Sequence, residues 1–179
     1  FFITFFENRK KIVTRNEKIT LKHYPAVTIV VPSFNEEQTV YKTVRSLFDL
    51  NYPQNKVRIF LVDDGSTDNT LRVVNKFSKY PNVQIFHKKN GGKYTALNLG
   101  LENLKTDFLG CLDADSVVDP EALIRIMSYF EKDKSIMAVA PSVAVHNPEN
   151  FIQYAQQAEY YMVFYVKKML VVLGAIHVT

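Results

Sequence analysis

From Val27 onward the chain falls into short apolar runs separated by segments of mixed polarity. VTIVV (27–31), VRIFLV (57–62), VQIF (83–86), DFLGCL (107–112) and IMAVAPSVAV (136–145) have the length and β-branched content of strands. Between them the apolar residues recur at helical spacing. Val40, Val44, Leu47 and Phe48 share one face of a helix opening near Glu36, Leu71, Val74 and Phe77 one face of STDNTLRVVNKF, and Leu97, Leu101 and Leu104 one face after HKKNGGK. A Ser or Thr is expected to cap the second helix, and Asp119, Pro120 and Glu121 to open the fourth. Strands apolar nearly throughout and interleaved with helices predict an α/β domain whose sheet is mostly parallel and covered by helices on both faces.

Composition narrows the class. The 179 residues are 47% hydrophobic and 22% charged, a globular balance that allows one domain with a real core. The net charge of +4 is mild, and apart from Arg9 to Lys11 and His87 to Lys93 the basic residues are spread out, so no nucleic-acid partner is expected. The single cysteine, Cys111, excludes an internal disulfide and, inside an apolar run, reads as a buried inert thiol suited to a reducing cytosol. The four histidines show no ligand spacing, so no zinc site is assigned.

Sites in parallel α/β sheets gather outside the carboxyl ends of the strands. Here the first four strands run into PSFNEE, DDGSTD, HKKNGGK and DAD, all polar. Asp113 and Asp115 stand two apart, so on a chain that stays extended their carboxylates point the same way. A hard divalent cation, magnesium or manganese, would reconcile the two charges and leave coordination positions for a diphosphate. In DDGSTD one of Asp63 and Asp64 is expected to accept hydrogen bonds from a base or ribose while its neighbour shapes the turn. Gly91 and Gly92 let the backbone approach an anion, and Lys93 adds a positive charge, without the spacing of a Walker loop.

With VVPSFNEE, VDDGSTD, NGGKYTALNLGL and LDADS in this order, the chain resembles the family-2 glycosyltransferases, whose nucleotide-sugar-binding fold is the Rossmann-like GT-A arrangement. The resemblance covers about 27–145 and is strongest toward membrane-bound processive synthases of the hyaluronan, chitin, cellulose and poly-N-acetylglucosamine type. It implies that Pro32, Phe34, Glu36 and Asp63 surround the nucleobase and ribose, that Lys93 lies near the nucleotide, and that Asp113 and Asp115 hold the metal-bound diphosphate. It further implies transfer of a sugar, with inversion, from a nucleotide donor, UDP by preference, to a glycan or lipid-linked acceptor. Members place a general base in an acidic motif well after the D-x-D, and processive ones add Q-x-x-R-W. Neither occurs up to Thr179, so no base is named, and weak donor binding with little or no transfer is expected of this chain.

Three divisions follow. Residues 1–24 read as the end of a membrane anchor and a juxtamembrane linker, because FFITFF is followed by the basic ENRKK, or else as a plain amphipathic start. Residues 25–147 form the nucleotide-sugar-binding domain. Residues 148–179, with Lys167 and Lys168 inside YYMVFYVKKMLVVLGAI, form an amphipathic helix, either interfacial or part of a further core. This predicts a protein at the cell membrane with its catalytic domain on the cytoplasmic side. Three rival functions use similar residues. A phosphatase with Asp113 as nucleophile would place it after the first strand of the core. A nucleotidyltransferase would open with a glycine- and arginine-rich loop where PSFNEE stands. A noncatalytic nucleotide-sugar-binding module would bind without turnover.

Overall fold

The structure is a computed structural model that describes residues 19–145 and 147–172, with the backbone alone for 168–172. Most of the expected anchor therefore lies outside the described residues. Two compact units are distinguished: Ile19–Met137, and a second to which, among the described residues, 138–145 and 147–172 belong.

The first unit is built on four parallel strands, β1 (Val27–Ser33), β2 (Val57–Asp63), β3 (Val83–His87) and β4 (Phe108–Cys111), in the order β3-β2-β1-β4. Every residue of β1 is buried, because it lies between β2 and β4 and is covered on both faces. On one face Ile29, Val31, Ile59 and Leu61 pack with residues of α1 (Val40–Phe48), α2 (Thr70–Val74, followed by the 3-10 turn Asn75–Phe77) and α4 (Ala122–Lys132). On the other face Val30, Phe60 and Val62 meet Ala96, Leu97 and Leu99 of α3 (Lys93–Glu102). The alternation along each strand thus divides its side chains between two cores, and each fully buried Val or Leu contributes about 1.5–3 kcal/mol.

Residues 19–24, read from their pattern as linker, pack on this unit. Leu21 enters the larger core, Tyr24 meets Tyr52 edge-on, and Glu131 of α4 accepts hydrogen bonds from the Lys22 and His23 amides.

Several local expectations are corrected. The run 136–145 forms no strand: among the described residues it joins no ladder, Pro141 lacks an N–H to donate, and Met137 is 90% exposed. In α3 the buried positions are Ala96 and Gly100, whereas Leu101 is 54% exposed and Leu104 lies beyond the helix. The cause is close approach, since a Cβ on Gly100 would stand 2.6 Å from Val30 Cγ2. α1 begins at Val40 rather than near Glu36, after a turn in which the Glu36 carbonyl accepts from the Thr39 and Val40 amides. The start of α2 is held by Asp68, whose Oδ1 accepts from the Thr70 amide and hydroxyl, and not by a Ser or Thr cap. Cys111 is exposed, because β4 is the edge strand and the second residue of each pair on it faces outward. Desolvation nevertheless pushes its thiol upward against the pull of Lys93, which keeps it a poor nucleophile.

The second unit contains α5 (Phe151–Val172), entered through Asn150, whose Oδ1 accepts from the Gln153 amide. Phe151, Ile152, Tyr161 and Met162 on it are exposed. No helix among the described residues is long and apolar enough to cross a membrane.

Candidate functional site

β1 connects to β2 on one side while β4 lies on the other, so the chain changes direction between β1 and β4 and leaves a crevice outside their carboxyl ends. A cavity of about 230 Å³ opens there, lined by Pro32, Ser33, Phe34, Glu36, Asp64, Lys93, Asp113, Ala114 and Asp115. Six of the seven residues nominated from the sequence meet in it: Pro32, Phe34, Glu36, Lys93, Asp113 and Asp115. Asp63 does not line it.

The first wall comes from the turn after β1, which is locked to the turn after β2. Asn35 sits at φ 56°, in the left-handed region that Asn tolerates, and its Oδ1 accepts from the Thr67 amide at 2.9 Å. The Asn35 amide donates to Ser66 Oγ, the Glu36 amide to Thr70 Oγ1, and Glu37 Oε2 accepts from the Asn69 amide. These bonds leave Phe34 exposed at the mouth and set Glu36 at its rim.

The two aspartates of DDGSTD part company by strand parity. Asp63 is fully buried on the side of Ile59 and Leu61, where Oδ2 accepts from His87 Nδ1 at 2.7 Å and Oδ1 has no hydrogen-bond partner. Asp64 follows Phe60 and Val62 toward α3. Its Oδ1 accepts from Lys88 Nζ and the Gly91 amide (3.1 Å), and its Oδ2 from the Gly92 amide (2.8 Å). Desolvation pushes the Asp64 carboxyl up, but the Lys88 ammonium and the two glycine amides outweigh it and hold the carboxyl below the usual range. The glycine amides expected to cradle a ligand's anion therefore bind the protein's own carboxylate. Gly65, at φ 73°, passes so close to the same loop that a Cβ on it would lie 2.6 Å from the Asn90 nitrogen.

This clamp delivers Lys93, at the start of α3, to the cavity, where its ammonium pairs with Asp113 Oδ1. The hydrogen bond that Lys93 donates to the Asp113 carboxylate raises the Lys93 pKa, so the side chain is charged at neutral pH. Beyond β4 the chain does not stay extended: it turns at Asp113, whose carbonyl accepts from the Ser116 amide at 3.1 Å. That both residues line one cavity thus follows from anchoring of the residue between them and not from strand geometry. Ala114 is buried in the larger core, and its carbonyl accepts from Thr43 Oγ1 of α1 at 2.8 Å. Ser46 Oγ, one turn along, accepts from the Val118 amide. Asp113 and Asp115 consequently face the cavity on a turn held at both ends.

Four carboxylates and one ammonium border the cavity, a surplus of negative charge that suits a cation. Among the described residues no three His, Cys, Asp or Glu side chains stand close enough to hold a metal by themselves. Two oxygen donors, Asp113 and Asp115, suit a hard ion that takes its remaining ligands from water and phosphate. Asp64, Lys88, Thr43 and Ser46 were not singled out individually by sequence reasoning. For Asp64 the signal was the alternation Phe60, Val62, Asp64, and for Thr43 its position one turn beyond Val40 on the buried side of α1. Lys88 lies in the basic cluster His87 to Lys93, but nothing in the sequence set it apart from Lys89.

Comparison with known proteins agrees with this architecture. The chain is 28% identical over 179 residues to a poly-beta-1,6-N-acetyl-D-glucosamine synthase of Staphylococcus epidermidis, with 98% of this chain and 43% of the relative covered. It is 29% identical over 180 residues to the Staphylococcus aureus synthase of the same name, with the same coverage. The chain thus spans less than half the length of these curated relatives. Among solved structures, the mannosyltransferase PcManGT from Pyrobaculum calidifontis in complex with GDP-Man and Mn2+ superposes with a TM-score of 0.60 at 20% identity, covering 80% of this chain and 41% of that one. S. aureus TarS 1-349 in complex with UDP-GlcNAc does so with a TM-score of 0.56 at 22% identity, covering 68% and 41%. These likenesses carry the fold, the GT-A arrangement expected from the motifs. The pattern of Glycosyl transferase family 2 matches residues 28–179, and the chain belongs to that family.

Proposed function

We propose that the crevice between β1 and β4 binds a nucleotide-sugar donor, and that the protein of which this chain is the donor-binding part extends a polysaccharide or lipid-linked glycan. The carrying observation is the convergence of Pro32, Phe34, Glu36, Lys93, Asp113 and Asp115 on one cavity. UDP-N-acetylglucosamine is the favoured donor, supported by relatives named as poly-beta-1,6-N-acetyl-D-glucosamine synthases across 98% of the chain.

In this reading Pro32, Phe34 and Glu36 border the base and ribose. Asp63 offers its unfilled Oδ1 only if the turn opens toward it. Asp113 and Asp115 hold Mg2+ or Mn2+, which when bound offsets the charge that develops on the departing diphosphate. An acceptor hydroxyl forms the new bond to the anomeric carbon as the bond to the diphosphate oxygen breaks, with inversion. The residues of this chain contribute positioning and leaving-group electrostatics. The acceptor side, the general base and the membrane attachment belong to the whole protein. We place it at the cell membrane, a reading supported by relatives named as polysaccharide synthases and by the exposed apolar residues of α5, and we assign this domain to the cytoplasmic side on the basic ENRKK that follows FFITFF.

Titration calorimetry with UDP and UDP-N-acetylglucosamine tests the site. Binding in Mn2+ should exceed binding in chelator by about tenfold or more, and Asp113→Asn and Asp115→Asn should each abolish that difference while leaving thermal stability near wild type. Equal binding in chelator would overturn the metal assignment, and absence of nucleotide binding would overturn the site.

A further inference from the structure

The ammonium of Lys93 lies on the same carboxylate that the proposed function gives to a divalent cation. Lys93 and Asp113 form their ion pair with side chains 56% and 54% exposed. Asp115 is left with the Ser116 hydroxyl at 3.3 Å. Lys93 is not there by the reach of a free side chain alone. The residues before it are fixed by the Asp64 carboxylate through the Gly91 and Gly92 amides, and Lys88 ties Asp64 to Thr95 Oγ1 in the first turn of α3. The backbone that carries Lys93 is therefore rigid, while the ion pair at its tip is open to water and easily exchanged.

An ammonium and a divalent ion cannot share Asp113 without strong like-charge repulsion at such short range. We infer that Lys93 is a tethered stand-in for the metal: it holds Asp113 when no donor is present and yields it more readily to a cation that arrives with a diphosphate than to a bare one. The reason is charge balance. A bare cation must displace the ammonium and then remain beside it. A diphosphate brings negative oxygens that can receive the displaced ammonium, so Lys93 exchanges one anionic partner for another. Lys93 thus serves as a positioning and selectivity residue that couples metal binding to donor binding. The inference rests on the metal and diphosphate assignment of the proposed function.

The test compares the wild-type 179-residue chain with Lys93→Met and Lys93→Arg, using Mn2+ alone and Mn2+ with UDP, followed by electron paramagnetic resonance of free Mn2+ and by calorimetry. Circular dichroism checks that the variants fold. Lys93→Met should bind Mn2+ alone about three- to tenfold more tightly than wild type, because a competing charge is gone, and should bind UDP in Mn2+ more weakly. Lys93→Arg, which keeps the charge, should retain weak binding of Mn2+ alone. Opposite signs for metal and nucleotide are the signature; a merely structural lysine would weaken both together. Unchanged or weaker binding of Mn2+ alone by Lys93→Met, with wild type still binding UDP in a metal-dependent way, would overturn this inference and spare the site. Failure of wild type to bind UDP at all would overturn both.

Discussion

The hydroxyl of Thr43 donates a 2.8 Å hydrogen bond to the carbonyl of Ala114, the residue that separates the carboxylates of Asp113 and Asp115. Helix α1 thereby holds the loop that crosses the crevice. Thr43→Val keeps the shape but leaves a buried carbonyl without its partner, a loss of about 1–3 kcal/mol. Urea denaturation should show that loss, and calorimetry a fall of about threefold or more in Mn2+-dependent UDP affinity. Thr43→Ser should restore both. Full nucleotide affinity in a folded Thr43→Val protein would mean that the turn needs no such anchor.

Asp64 carries the loop that presents Lys93, and its carboxylate accepts from one ammonium and two amides. Asp64→Asn puts an amide group against those donors and should cost about 2–4 kcal/mol. The folded-state pKa lies below the unfolded one. The carboxylate's stabilisation is therefore fully present above roughly pH 4 and is lost as pH falls through the folded-state value. Denaturation midpoints measured from pH 6 down to pH 2 should drop for wild type and fall less steeply for the variant. Parallel curves would show that Asp64 does not set the acid limb.

At the opposite pH extreme the indicator is Tyr52. Its hydroxyl donates to the Pro25 carbonyl at 2.8 Å, and desolvation, helped by Tyr24, pushes its pKa up to about 12. Because the fold retains the phenolic proton better than the unfolded chain, the contribution is complete below about pH 10 and disappears toward pH 12. Tyr52→Phe should cost about 1 kcal/mol at pH 7. It should also flatten the alkaline decline in stability, and an unaltered decline would point to other groups.

Gly100 admits close packing of α3 on β1. Gly100→Ala gains about 1 kcal/mol in helix propensity but drives a methyl to 2.6 Å from Val30 Cγ2, and overpacking of that kind costs about 1–3 kcal/mol. The net effect expected in denaturant melts is destabilisation, and the double variant Gly100→Ala with Val30→Ala should lose less stability than the two single losses summed. Additive effects of the two substitutions would show that the side chains do not meet.

How much was legible from residues alone differs between the strands and the loops. β1 and β2 announced themselves because strands covered on both faces are apolar nearly throughout, while the edge strands β3 and β4 were legible as short apolar runs between polar segments; the polar ends of β1 and β4 and the start of α3 then marked the crevice. The helix faces were less legible. Leu97, Leu101 and Leu104 have helical spacing, yet α3 turns Ala96 and Gly100 inward, because periodicity records where bulky residues lie and not how near the neighbouring strand comes. The run 136–145 has the apolar content of a strand, but a ladder needs a partner, and no run of residues carries its partner within itself.

Taken by itself, the amino-acid order determined an α/β domain of interleaved strands and helices, the family resemblance, and which strand ends bear carboxylates, glycines and a lysine, since these follow from local periodicity and residue chemistry. Only the tertiary structure decided that Asp64 and not Asp63 reaches the cavity, that the Gly91 and Gly92 amides are occupied from within, that Thr43 and Ser46 brace the D-x-D turn, and that Lys93 rests on Asp113. Each of those is a meeting of groups distant along the chain, and such meetings depend on strand order and on the depth of helix packing, which no local window of residues contains.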